Sequence, residues 1–70
     1  MKFVDGNVRI TAEGFEKAMY AKIKNITKIV ETSNDGSRQK TYPAYVVEFQ
    51  INGIKRTKIF KENQLESVNS

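Results

Sequence analysis

The stretch AYVVEFQINGIKRTKIF, Ala44 to Phe60, decides the fold. Two runs of β-branched and aromatic residues flank Asn52-Gly53. Asn-Gly suits a type I′ turn, whose two central residues both need φ > 0, so the stretch predicts a tight hairpin. A two-residue loop also fixes which residues face one another. Ile51 meets Ile54, Phe49 meets Arg56, Val47 meets Lys58 and Tyr45 meets Phe60 on one face. Gln50 meets Lys55, Glu48 meets Thr57 and Val46 meets Ile59 on the other. Each face mixes apolar with basic residues, so a bulge or strong bend is expected near Thr57 to separate them.

Upstream, NVRIT (Asn7–Thr11) alternates, with Val8 and Ile10 on one side, and predicts a first strand. The segment that follows, AEGFEKAMYAKIKNITKIVET (Ala12–Thr32), carries two signals. Phe15, Met19, Ile23, Ile26 and Val30 fall at helical spacing. Ile23, Ile26, Thr27, Ile29 and Val30 are β-branched and favour a strand. The reading that satisfies both is a short helix over about Glu13–Tyr20, with Thr11 as its cap, and a long bent strand over about Lys22–Glu31. One continuous helix is the alternative. Thr32–Pro43 is rich in turn formers and reads as an exposed loop with a tight turn at Asp35-Gly36. After Phe60, KENQLESV offers one helical turn and a last strand around Val68. Phe49, Val47, Ile59, Ile23, Ile10 and Leu65 are the expected core.

Seventy residues make one domain, 1–70. A domain of this size buries only roughly 60% of the surface its unfolded chain exposes, so a core is attainable but a deep substrate cavity is not. There is no cysteine and no histidine. Disulfides and the usual zinc sites are excluded, and no cofactor is expected. No apolar run approaches membrane-spanning or secretory length, so a cytoplasmic protein without membrane contact is expected. The net charge of +4 is uneven: Lys17–Val30 holds four lysines and no acid, and Gly36–Lys61 holds six cations against Glu48 alone. That balance permits an anionic partner.

The order of elements resembles an SH3-like small barrel. YVVEFQINGIKRTKIFKENQLESV (Tyr45–Val68) is similar to the last three strands of these barrels, and GNVRIT with AKIKNITKI is similar to the first two strands of KOW-type relatives. Where KOW modules place a glycine shortly before the second strand, Tyr20-Ala21 stand. The chain also resembles small free-standing proteins of phages and mobile elements. The resemblance implies an all-β fold with minor α content: five antiparallel strands, a short helix in the first long loop and a single helical turn before the last strand. It does not by itself fix a function.

No catalytic constellation can be assembled without histidine or cysteine, and the acids do not gather on one strand, so no enzyme is expected. The candidate site is basic: Lys22, Lys24, Lys28, Lys55, Arg56 and Lys58 on two strands, with Tyr20, Tyr42 and Tyr45 as platforms for exposed bases. The same lysines also serve a sheet that binds nothing, by keeping its edges from pairing with other chains. SH3 domains grip proline-rich peptides with an aromatic groove. Phe15, Tyr20, Glu13 and Glu16 lie in the corresponding loop, but no tryptophan stands in the chain, which argues against that ligand. The sequence therefore predicts a non-catalytic binding module with a protein partner. Weak, sequence-nonspecific nucleic-acid binding through the basic strands is the alternative, and the oligomeric state is left open.

Overall fold

A computed structural model describes residues 3–68. The remaining termini of the expected 1–70 domain lie outside the described residues. The chain runs as strand β1 (Val8–Ile10), β2 (Met19–Thr32), β3 (Gln39–Ile51), β4 (Ile54–Lys61), a 3-10 turn (Glu62–Gln64) and β5 (Leu65–Ser67). β2, β3 and β4 form one antiparallel sheet in that order, and β1 pairs with β5 in a second. Asn7 bridges to Lys22, which brings the small sheet against the start of β2. The fold is all-β, with two sheets and no closed barrel among the described residues.

The Asn-Gly hairpin forms with the expected register, from Ile51 opposite Ile54 to Tyr45 opposite Phe60. Asn52 and Gly53 have φ of 53° and 78°, as a type I′ turn needs. The expected bulge near Thr57 is absent: pairing runs unbroken from Ala44–Lys61 to Ile51–Ile54. The irregularities fall in β2 instead, between Met19 and Lys22 and between Ile23 and Asn25. β4 needs no bulge because it is an edge strand. Its basic residues on the core face reach past the rim of the core into water.

The expected helix over Glu13–Tyr20 does not form. Residues 12–18 make successive turns, with the Phe15 N–H bonded to the Ala12 carbonyl and the Ala18 N–H to the Phe15 carbonyl. Gly14 sits at φ 91°, outside any right-handed helix. The continuous-helix alternative fails too, because β-branched residues carry β2 from Met19 through Thr32. The expected loop Thr32–Pro43 shrinks to a turn. β3 already starts at Gln39, pairs there with Thr32, and extends the β2–β3 hairpin into a two-stranded arm beyond the end of β4. The arm accounts for the 42 Å long axis of the molecule.

Asp35 holds that turn closed. Its Oδ1 accepts from the Ser33 hydroxyl at 2.6 Å, the Ser37 N–H at 3.0 Å and the Ser37 hydroxyl at 2.7 Å. These bonds, the Ser33 hydroxyl foremost, lower the carboxyl pKa to about 2. A depressed folded-state pKa stabilises the turn above the unfolded value of 3.8, and the effect is lost as pH falls through about 2. An NMR titration should therefore show the Asp35 carboxyl, and the Ser37 amide with it, titrating near pH 2. A midpoint near 4 would mean that the turn is open in solution.

The core lies between the inner face of the three-stranded sheet and the β1–β5 pair. Ile23, Val47, Phe49 and Phe60 are its largest fully buried side chains, joined by Val8, Ile10, Ala21, Tyr45 and Leu65. Phe15 descends from the turn segment and meets Phe49 and Phe60 edge-on, with centroids 5.5 and 5.1 Å apart. One expected core residue is misplaced: Ile59 is 49% exposed and Phe60, its neighbour, is buried. Strand alternation puts them on opposite faces, and the face that carries Ile59 is open at that position.

Candidate functional site

β4 is the most open element of the described residues. All six residues from Ile54 to Ile59 are exposed, and the strand is buried only at Phe60. The two-residue turn decides which of its backbone groups are spent. Ile51 and Ile54 flank that turn as a hydrogen-bonded pair, and such pairs alternate with non-bonded ones along an antiparallel ladder. Ile54, Arg56, Lys58 and Phe60 therefore direct N–H and C=O toward β3. Lys55, Thr57, Ile59 and Lys61 direct theirs away. The outward Lys61 N–H is closed off by the Gln64 side chain, whose Oε1 accepts it at 2.9 Å. Among the described residues, no backbone bond outside the β3 ladder reaches Lys55, Thr57 or Ile59. Three residues of edge thus stand open to solvent.

Side chains alternate in the same way. Arg56 and Lys58 share the core face with Phe49 and Val47, yet both are exposed. The Lys58 ammonium lies 5.1 Å from the centroid of the Phe15 ring and 6.0 Å from that of Phe60, so its methylenes cover the rim of the core while the charge stays wet. Lys55, Thr57 and Ile59 share the outer face. The Lys55 ammonium stands 3.9 Å from the Glu48 carboxylate, a loose and exposed pair.

The six candidate cations are all exposed, but the fold divides them. β3 runs between β2 and β4. Lys22 and Lys55 lie on the outer face on either side of β3, with Glu48 opposite Lys22. Lys24 is the extra residue of the second β2 bulge, and Lys28 sits at the base of the arm opposite Pro43. Only Lys55, Arg56 and Lys58 form a contiguous set, and they form it on β4.

The three tyrosines part company as well. Tyr45 is 5% exposed and belongs to the core, so its ring offers no face to a base. Tyr42 is half-buried at the root of the arm. The Lys61 ammonium sits 4.6 Å from its ring centroid and bonds the Glu31 carboxylate at 2.6 Å. That bond raises the Lys61 pKa and ties the end of β4 to the arm.

Tyr20 is 75% exposed and sits at φ 56°, within the first β2 bulge. It takes the left-handed conformation that a glycine would supply there, which strains a side chain with a Cβ by roughly 1–2 kcal/mol. Met19 and Tyr20 line a shallow groove with Glu16, Lys17 and the Asn52-Gly53 turn. Tyr20→Gly should leave the melting temperature unchanged or raise stability by up to ~1 kcal/mol, because strain is removed and little packing is lost. A loss larger than ~1 kcal/mol would show that the ring is anchored.

Sequence reasoning missed Thr57 and Ile59 as edge residues and Met19 and Ile54 as exposed apolar groups. The hairpin register already contained the first pair, since the turn type fixes which amides face outward.

These features define, among the described residues, an all-β protein whose edge strand β4 is open and basic. No group of acidic side chains able to hold a metal occurs among the described residues, and none of their helices is long and apolar enough to cross a membrane. No family model matches the chain, and no curated protein or solved structure matches it.

Proposed function

We propose that this chain is a small, non-catalytic binding module on an SH3-like scaffold, working in the cytoplasm, and that it engages another protein through β4. The pairing of β1 with β5, the bridge from Asn7 to β2 and the order β2-β3-β4 support the SH3-like reading. The single observation that carries the function is the open edge, six exposed residues in a row with unspent backbone groups at Lys55, Thr57 and Ile59. Strand edges recognise extended peptides by main-chain bonds, with alternate side chains providing selection.

Nucleic-acid binding is the second reading, favoured by the exposure of Lys22, Lys24, Lys28, Lys55, Arg56 and Lys58 together with the Tyr20 ring. Such binding would rest on phosphates and be nearly blind to sequence. About four contacts on a single strand would give a slope near −3 for log K against log salt. A pull-down from lysate, with and without nuclease, separates the two readings. Retained protein that survives nuclease supports the first, and loss of all retained material on nuclease treatment supports the second.

A further inference from the structure

We propose that the partner of β4 is an extended acidic segment, added as an antiparallel strand whose carboxylates alternate along one face. The inference rests on the protein-binding reading above and names its ligand class. β4 carries Lys55, Arg56, Lys58 and Lys61 and no acid. An incoming strand would form hydrogen-bonded pairs with Lys55, Thr57 and Ile59, whose backbone groups face outward. Its residues opposite Arg56 and Lys58 would then fall in non-bonded pairs, where side chains approach most closely. Acids two residues apart answer those two cations. A third acid meets Lys55, and an apolar residue meets Ile59. Read from its N-terminus, the matching segment runs apolar, acidic, threonine or valine, acidic, acidic.

Two other occupants fit less well. A second copy pairing β4 with β4 about Thr57 sets Arg56 against Lys58 twice, and like charges directly opposite are destabilising. A second copy offering β5 brings only Leu65–Ser67, whose one acid, Glu66, is already bonded to Arg9. The cations that keep this edge from pairing with itself are therefore the ones that select its ligand. The free side of β2 is a poorer template. Two bulges and the bonds from Asp5, Gly6 and Asn7 take up its start, and its unbroken stretch, residues 25–32, carries the single cation Lys28 beside the acid Glu31.

The test uses the whole chain and a capped, fluorescein-labelled peptide containing Val-Glu-Thr-Glu-Glu. A second peptide is N-methylated at the Val, the Thr and the last Glu, which removes the strand donors and keeps every charge. A third replaces Glu by Lys. The first peptide should bind at low salt, shift the Lys55, Thr57 and Ile59 amides in NMR spectra, and lose affinity as salt rises. N-methylation should weaken it about tenfold or more, and the lysine peptide should not bind. Thr57→Pro removes one outward N–H and leaves the β3 ladder intact, so it should fold and lose the peptide. Should that variant fail to fold, the N-methylated peptide decides alone. Equal binding of the N-methylated peptide would overturn the proposal in favour of simple charge attraction. No binding of the first peptide, or a dimer that covers β4 in sedimentation, would overturn it as well. Nuclease-resistant capture of a protein alongside any of these results would leave the binding-module reading standing and remove only the acidic strand.

Discussion

Phe49→Ala should unfold this domain or leave it barely folded, a loss of about 3–5 kcal/mol. Phe49 is 2% exposed on the central strand and meets two other rings, Phe15 at 5.5 Å and Phe60 at 6.1 Å. Truncation deletes both edge-on contacts and opens a cavity between two sheets that cannot close over it. Stability of roughly 0.05–0.15 kcal/mol per residue gives a chain of this length little to spare. Chemical denaturation followed by circular dichroism measures it. A variant that melts like the parent would mean that the inner face of β3 is not the core.

The second large effect separates two neighbours. Phe60→Ala should also cost about 3–5 kcal/mol, since Phe60 is 1% exposed and packs on Phe15 at 5.1 Å. Ile59→Ala, one residue away, should cost less than about 1 kcal/mol, because Ile59 is 49% exposed on the uncovered face. The contrast tests the alternation of β4 as well as the core. Equal losses at both positions would mean that a second layer covers the outer face.

Much of this architecture was legible in the sequence because local rules suffice for it. Asn52-Gly53 admits one turn type, and the turn admits one register, so every facing pair of the hairpin follows. The segment Ala12–Thr32 was harder because two periodicities coexist in it. Phe15 has helical spacing to Met19, but tertiary contacts use Phe15 to cap the aromatic core and leave Met19 in solvent. Gly14, at φ 91°, was the local sign that a helix would not run through. The arm was hidden by composition: Ser33, Asp35, Gly36 and Ser37 occupy only its tip, and Thr41 and Tyr42 continue a strand.

The candidate site was legible as residue types and not as a surface. Six cations on two strands were grouped as one candidate site. A central β3 between those strands divides them, which only the sheet order reveals. Tyr45 looked like a platform because it neighbours the basic strand. Pairing with Phe60 and Ile26 places it on the covered face. Tyr20 stands at the start of β2, and its positive φ shows that the chain makes a glycine-type turn there without a glycine.

Among the described residues, no backbone bond outside the β3 ladder closes the β4 edge at Lys55, Thr57 and Ile59. Amide hydrogen exchange along β4 of the free protein tests this most directly. An alternation is expected: Arg56, Lys58 and Phe60, bonded to β3, exchange slowly, whereas Lys55, Thr57 and Ile59 exchange as fast as open amides. Uniform protection from Lys55 to Phe60 would contradict it, because the edge would then already be covered.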